Sequence, residues 1–325
     1  MGLVVVTGIQ GLVGSAVARA FAARGWRVRG LVRRPSPDAA YEQHVGDVTD
    51  PSTLRGLCRD ADAVVHAAGL VSDWDPEELF WQINYEGTRA VLDDALREGV
   101  GRLVYISTAD VFGFRRDVVI DERLPKRVPD YPYSTSKYEA EKLAFGYIER
   151  GLDVSVVYPT WIFGPGDRHI VPELAEGMRT GQLVYFSRGR TPLELTYSEN
   201  LADAIHLVAT SDQAVGEGYI VGDGYDYTLG DFIDQIAATA GLRPPRFSVP
   251  LRVAWMVGWG SEIVTRLRGG DRRPLLTRYA VSSAGFGMRY DISKLCALGW
   301  RPAVGVEEAI QRTLDDAPAA APVPA

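Results

Sequence analysis

Cysteine and lysine are scarce in this 325-residue chain, and long apolar runs are missing. The two cysteines, Cys58 and Cys296, are too few for a disulfide framework, and no CxxC or Cys/His cluster offers zinc spacing. A reducing, cytoplasmic setting is the expectation, with no metal. Lysine supplies 4 of the 35 basic side chains and arginine 31, a bias that points to a GC-rich genome more than to a function. The basic residues do not balance 42 acidic ones. A net charge of −7 argues against a nucleic-acid binder, which would carry a basic face, and leaves small molecules as partners. No apolar run reaches the roughly 18 residues that a membrane span needs. The longest stretch, Val253 to Val264, is interrupted by Ser261 and Glu262. The start is already strand-like at Gly2 to Val6, so no signal peptide is expected. The Ala- and Pro-rich end, Asp316 to Ala325, reads as a disordered tail.

What is present is an alternation of strand and helix patterns. Short Val-, Leu- and Ile-rich strands are expected at Leu3–Thr7, Arg27–Val32, Ala63–His66, Leu103–Ser107 and Val154–Tyr158. Helical stretches fall between them, near Leu12–Arg24, Leu54–Cys58, Glu77–Glu98 and Tyr133–Arg150. This order predicts an α/β fold with a doubly wound parallel sheet. After Gly164 the pattern loosens, with strands at Val184–Phe186 and Tyr219–Val221 and helices near Glu199–Ala209, Leu229–Ala240 and Val306–Leu314. The expected division is a dinucleotide-binding core over residues 1–163, with return segments near 191–221. A smaller, interleaved substrate-binding region covers 164–190 and 222–315.

Three local patterns carry chemistry. Thr7-Gly8-Ile9-Gln10-Gly11-Leu12-Val13-Gly14 follows the first strand and opens the first helix. Glycines there let the backbone approach a pyrophosphate, and the helix N-terminus offers unpaired N–H groups. The spacing is GxxGxxG, and its place between strand and helix gives it weight. At the end of the second strand no acid appears before Asp38. Arg33 and Arg34 stand where a 2′-phosphate would lie, so NADP(H) is expected, with NAD(H) as the alternative. Finally, Tyr133 and Lys137 are four residues apart on a helix, and the cation should lower the phenol's pKa from about 10 and make it a usable acid/base. Tyr138 and Lys142 repeat that spacing. Tyr133 is preferred because it lies in the first turn after Pro132, nearer the mouth of the sheet.

Together these motifs resemble the extended short-chain dehydrogenase/reductases over nearly the whole chain. The resemblance implies a Rossmann fold and a nicotinamide cofactor. It places an adenine contact at Asp47, beside Val48, and a segment under the cofactor at His66-Ala67-Ala68-Gly69. It implies a catalytic set of Asn84, Thr108, Tyr133 and Lys137, with Thr108 and Tyr133 25 residues apart. Ser107, Pro159, Thr160 and Ile162 would border the cofactor, and Val71, Ala109, Asp110 and Trp161 the substrate. In this scheme Tyr133 exchanges a proton with the substrate oxygen and Thr108 hydrogen-bonds the same oxygen. Lys137 holds the nicotinamide ribose, and Asn84 organises the relay.

The segments Pro159–Gly166 and Tyr197–Ala204 are similar to the 3β-hydroxysteroid dehydrogenase and dihydroflavonol reductase branches. Tyr158-Pro159-Thr160-Trp161 lacks the Arg and Asn that nucleotide-sugar epimerases and dehydratases carry there. The expectation is a ketoreductase or secondary alcohol dehydrogenase for a bulky hydrophobic ketone or alcohol such as a steroid, terpenoid or polyketide. The alternatives are a nucleotide-sugar epimerase or dehydratase, and a non-catalytic redox sensor. A homodimer is compatible with all three. The apolar stretch after Pro250, with Trp255, Met256 and Trp259, is expected to wall the substrate pocket. Core packing is the competing expectation, and membrane-surface attachment a third, disfavoured by the stretch's few basic residues.

Overall fold

The computed structural model describes residues 2–115, 118–270, 272–274 and 276–316. Its centre is a seven-stranded sheet of β1 (Leu3–Thr7), β2 (Arg27–Val32), β3 (Glu42–Val45), β4 (Ala63–His66), β5 (Arg102–Ile106), β6 (Val154–Pro159) and β7 (Gly218–Val221). All pairs are parallel, in the order β7-β6-β5-β4-β1-β2-β3. The order reverses at β1, which pairs with β2 on one side and β4 on the other. The carboxyl ends of β1 and β4 therefore border the crevice where doubly wound sheets bind ligands. The inner strands β1 and β4 are buried along their whole length, which explains why they are apolar up to Thr7 and His66 at their carboxyl ends.

Helices α1 (Leu12–Ala23), α2 (Gly87–Arg97), α3 (Pro132–Gly146), α4 (Ile170–Arg179), α5 (Ser198–Thr210) and α6 (Leu229–Ala240) follow in chain order. They are completed by α7 (Leu251–Leu267), α8 (Arg278–Gly285) and α9 (Val306–Asp316). One core packs α1 and α5 on one face of the sheet, around Val17, Phe21 and Leu201. A second packs α2 and α3 on the other face, around Leu92 and Ala140. A third core, around Phe163, Phe232 and Ile310, joins α4, α6 and α9.

Several sequence expectations are corrected. Leu54–Cys58 is not a helix. One 3-10 turn covers Pro51–Leu54 and Gly56 leaves it at φ +75°. The buried Asp94 carboxylate then takes the Gly56 and Cys58 N–H groups at 3.1 and 2.8 Å, where helical carbonyls would otherwise be needed. Edge strand β3 has a polar sequence, Glu-Gln-His-Val, and no apolar signal announced it. The helix expected over Glu77–Glu98 is split by a π-helical turn at Trp81–Glu86, a feature that often marks functional sites. Asp316, assigned to the tail, ends α9 and accepts a hydrogen bond from Gly166 N at 2.7 Å. Residues 317–325 lie outside the described residues.

The largest correction concerns the stretch after Pro250. It forms α7, and the Trp, Met and Val side chains expected to wall a pocket lie on its outside. Met256 is 66% exposed and Trp259 50%. Only Ala254, Gly258 and Glu262 of this helix are buried.

The glycine turn shows why small residues are needed. Gly8 has φ +65°, and a Cβ there would stand 2.8 Å from Ala68 N. A Cβ on Gly14 would stand 2.2 Å from the Gly8 carbonyl oxygen, where α1 presses against the turn. Gly14→Ala should therefore lower the melting temperature by several degrees, in line with an overpacking penalty of about 1–3 kcal/mol, and weaken dinucleotide binding. Gly146→Ala, in α3 with nothing within 4 Å of its Cβ, should be neutral or stabilising by up to about 1 kcal/mol. Thermal melts of both variants check this, and equal effects would refute the packing argument.

Candidate active site

Parallel pairing sets Thr7 opposite His66, and the buried imidazole becomes the centre of a chain of hydrogen bonds. Burial holds its pKa down to about 3, with a smaller contribution from the Lys137 charge, so the ring is neutral. Thr7 Oγ1 accepts from Ala68 N at 3.0 Å and lies 2.7 Å from His66 Nδ1. His66 Nε2 lies 2.9 Å from Thr88 Oγ1, which donates to the Asn84 carbonyl. One tautomer serves every group, with Thr7 donating to Nδ1 and Nε2–H donating to Thr88. Asn84 then grips Leu70, taking its N–H at 2.7 Å and donating to its carbonyl at 3.1 Å. Asn84 Nδ2 also donates to Ser136 Oγ at 3.0 Å, which donates to the Tyr133 carbonyl at 2.9 Å. The glycine turn and the start of α3 are thus joined through buried polar groups. His66, Thr88 and Ser136 were not identified as positioning groups from sequence. The signal available was a histidine at a strand's carboxyl end.

The four residues expected to be catalytic converge. Thr108, Tyr133, Lys137 and Asn84 are all buried, Thr108 just past β5, Tyr133 and Lys137 in the first two turns of α3 and Asn84 within the π-helical turn. Pro132 occupies the first turn of α3 and starts the helix just before Tyr133. Thr108 caps a 3-10 turn at Ala109–Phe112 through its hydroxyl, which accepts from Asp110 N at 3.3 Å. The same hydroxyl hydrogen-bonds Tyr133 and favours the phenolate, but burial and the Asp110 charge outweigh it and raise the phenol's pKa. This departs from the expected lowering by Lys137. The Lys137 ammonium donates to the Ile106 carbonyl and lies 4.3 Å from the centre of the Tyr105 ring. Burial holds its own pKa down to about 7, against the Glu141 charge, which raises it. Tyr138 and Lys142 form only a surface pair, with Lys142 held by Glu139 at 2.6 Å.

The proposed cofactor residues lie along the carboxyl ends of the strands. Gly11 caps α1 without any side-chain hydrogen bond, and no acidic residue stands in the first turn. Leu12, Val13 and Gly14 open α1 there, with Gln10 and Gly11 exposed before it. The tight Gly8, Gly11 and Gly14 backbone with a free helix N-terminus fits a pyrophosphate. Arg33 and Arg34 are exposed just past β2, and the Arg33 charge helps lower the Asp47 pKa. The largest cause of that lowering is the Thr49 N–H, which Asp47 accepts at 2.9 Å, so Asp47 holds its own turn and the 3-10 turn is capped by Asp50. Val48 is buried under Gly87. Ala67, Ala68 and Gly69 follow β4, and a Cβ on Gly69 would lie 3.3 Å from Asn84 Oδ1 and 3.8 Å from Lys137 Nζ. Ser107 is turned into the core, donating to Glu141 at 3.1 Å. Pro159 is buried, and Thr160 N donates to the Val221 carbonyl at 3.1 Å beside the half-buried Ile162.

On the side of Tyr133 that meets Asp110, α8 supplies groups that the sequence did not reveal. Tyr279 donates to the Asp110 carboxylate at 2.5 Å and its ring centre lies 6.3 Å from that of Tyr133. Tyr131 and Phe114 pack on Tyr279 at 5.1 and 6.1 Å, and Phe286 stacks on Phe114 at 6.1 Å. Of the residues assigned to the substrate, Ala109 is buried, Val71 is 69% exposed, and Trp161 donates to Ser283 Oγ at 2.8 Å. Asp110, Trp161, Glu194, Met288 and Tyr290 line a small cavity. A larger one of about 580 Å³ shares Pro192 with it and carries Arg190, Phe286 and Arg289.

A model of the NAD dependent epimerase/dehydratase family matches residues 4–222. The chain belongs to that family and is an NAD(P)-dependent oxidoreductase of the extended short-chain dehydrogenase/reductase type. It is 28% identical to a 2-alkyl-3-oxoalkanoate reductase of Stenotrophomonas maltophilia, over 95% of this chain and 97% of the relative. It is 27% identical to a 3-beta-hydroxysteroid dehydrogenase of Mycolicibacterium neoaurum, over 97% of this chain and 91% of the relative. The crystal structure of gox2253 superposes with a TM-score of 0.79 at 30% identity, covering 97% of this chain and 98% of that one.

Three buried carboxyl groups, two of them lining the small cavity, are held well above their ordinary range by burial. Asp110 moves up to about 6, and Glu194 and Asp223 to about 7. Folding therefore takes up protons at these sites between about pH 4 and 7. Their contribution to stability is full below about pH 4 and is lost as pH rises through 6 to 7. His66 acts oppositely, contributing above its ordinary 6.5 and losing that contribution as pH falls toward 3. Glu194→Gln should thus reduce the drop in melting temperature between about pH 5 and 8, by on the order of a few degrees. Unchanged slopes would show that folding does not raise the Glu194 pKa.

Proposed function

We propose that this enzyme is an NADP(H)-dependent ketoreductase, or the corresponding alcohol dehydrogenase, for a bulky hydrophobic substrate. The observation that carries the reading is the aromatic wall of Tyr131, Tyr279, Phe114 and Phe286 beside Tyr133. Such a wall suits apolar carbon skeletons and leaves sugar hydroxyls desolvated and unpaired. Relatives named for 2-alkyl-3-oxoalkanoates and 3-beta-hydroxysteroids support the same class. The two cysteines are free, which fits a reducing cytoplasm.

Gly8, Gly11 and Gly14 with the α1 N-terminus would hold the pyrophosphate, Arg33 and Arg34 the 2′-phosphate, and Lys137 the nicotinamide ribose. When bound, the nicotinamide supplies or accepts the hydride. Tyr133 gives its proton to the carbonyl oxygen, and burial keeps the phenol protonated until it is needed. Thr108 hydrogen-bonds the same oxygen, and Asn84 with Ser136 fixes the start of α3 on which Tyr133 stands. Val71, Ala109, Asp110 and Trp161 border the substrate. A second reading, nucleotide-sugar epimerisation or dehydration, draws on Arg190 and Arg289 in the larger cavity, where they could meet a diphosphate.

Tyr133→Phe should reduce turnover by at least about 10²-fold while leaving NADPH binding intact, and Tyr138→Phe should have little effect. Reversal of these effects in steady-state assays would move the acid/base role to Tyr138. Arg33→Ala should erase much of a preference for NADPH over NADH of roughly 10- to 150-fold, as expected for a charge-assisted bond, and equal wild-type affinities would remove the 2′-phosphate assignment. The substrate class is tested by NADPH oxidation with steroid and polycyclic ketones beside calorimetry with UDP-glucose and dTDP-glucose. Micromolar nucleotide-sugar binding without ketone turnover would favour the second reading.

A further inference from the structure

Nine of the fourteen large hydrophobic side chains that are exposed among the described residues fall between Phe247 and Leu267. On α7 they are ordered. Val253, Met256, Val257, Ile263, Val264 and Leu267 share one face of the helix, with Gly260 between the two groups, and form one stripe facing away from the protein. The opposite side is anchored. A Cβ on Gly258 would stand 3.1 Å from the Thr277 backbone, and Glu262 holds Arg278 through its N–H at 2.7 Å and its guanidinium at 2.8 Å. Trp255 and Trp259 lie at the edge of the stripe, on the side that also carries Arg252 and Arg266. This apolar stripe with indoles and guanidiniums at its border is the pattern of a helix lying in a lipid headgroup layer.

Charge selects the occupant. Residues 243–273 carry seven arginines against Glu262 and Asp271, a net +5 in sequence within a chain of net −7, and of these Arg273 is neutralised by Asp73 and Glu173. The apolar stretch itself is poor in basic residues, but its surroundings are not. The full helix adds Arg266, and exposed Arg243, Arg246 and Arg268 flank it closely. None of Arg243, Arg246, Arg252 and Arg268 forms an ion pair among the described residues. A second copy fits this face poorly. Antiparallel α7 helices would bring Arg252 of one against Arg266 and Arg268 of the other, and parallel ones would set each arginine against its twin. An anionic surface has the complementary sign.

We infer that α7 seats this enzyme on an anionic lipid surface, apolar stripe inward, without crossing it. No described helix is long and apolar enough to span a membrane. The helix covers α8, whose Tyr279 packs on Tyr133, so the seat lies one helix away from the active site. The assignment does not rest on the substrate reading, because its test reads partition and not turnover.

The experiment is cosedimentation of the full chain with vesicles of phosphatidylcholine, with and without phosphatidylglycerol, at low and high salt. Binding is expected on the phosphatidylglycerol vesicles, and at least about tenfold less on neutral ones or in high salt. Met256→Glu, on the exposed stripe, should abolish it. Arg252→Gln combined with Arg268→Gln should weaken it by about 10- to 30-fold. Melting temperature and dinucleotide binding should be unchanged in both variants, which separates loss of the seat from loss of the fold. Failure to sediment with any vesicle, or equal partition onto neutral ones, would overturn the inference. So would a mass in solution that falls by half in Met256→Glu, which would make a second copy the occupant.

Discussion

The structure depends on a single constraint at the crevice of the sheet, the need to bury a neutral imidazole with both nitrogens satisfied. His66 ends β4 where no water reaches it, and an unmatched ring nitrogen there would lose roughly 1–3 kcal/mol. Thr7 from β1 and Thr88 from α2 meet that need. Because Thr7 also takes the Ala68 N–H, the bend after β4 is fixed against the glycine turn. Because Thr88 also engages the Asn84 carbonyl, the π-helical turn is fixed against the sheet. Asn84 can then hold Leu70 on one side and Ser136 on the other. The placement of Tyr133 thus follows from a chain of buried polar groups that starts at His66.

The same site is unfavourable for charge. Burial raises the phenol of Tyr133 and the carboxyl of Asp110 and lowers the amine of Lys137, each toward its neutral form. Helical spacing puts Tyr133 and Lys137 on one face but does not specify the dielectric around them. The expected ammonium-assisted phenol therefore becomes a protonated phenol with Thr108 as its partner. Of the aromatic groups around it, Phe114 and Tyr131 come from nearby segments, but Tyr279 and Phe286 lie far away in sequence, and no local pattern could have joined them.

The apolar stretch after Pro250 shows how composition misleads. Trp, Met and Val in one run suit a pocket wall, a core or a lipid-facing surface equally well, since each removes them from water. The choice depends on which side of the helix the protein occupies. Here Ala254 and Gly258 allow close packing on α8, Glu262 finds Arg278, and the bulky residues are left outside.

The alternation of apolar strands and helices determined the parallel sheet, and the glycine spacing determined its first turn, because both follow from local sterics and periodicity. Leu3–Thr7, Arg27–Val32 and Ala63–His66 form the strands expected of them. The spacing of Thr108, Tyr133 and Lys137 likewise made the candidate site legible. Tertiary structure alone decided what happened at Leu54–Cys58, where a distant aspartate captured the backbone N–H groups, and at polar edge strand β3, which lacks an apolar signature. It also decided the pKa values and which face of α7 meets the protein. Desolvation, long-range hydrogen bonding and facing are properties of neighbours brought together by folding, and a residue's sequence neighbours do not contain them.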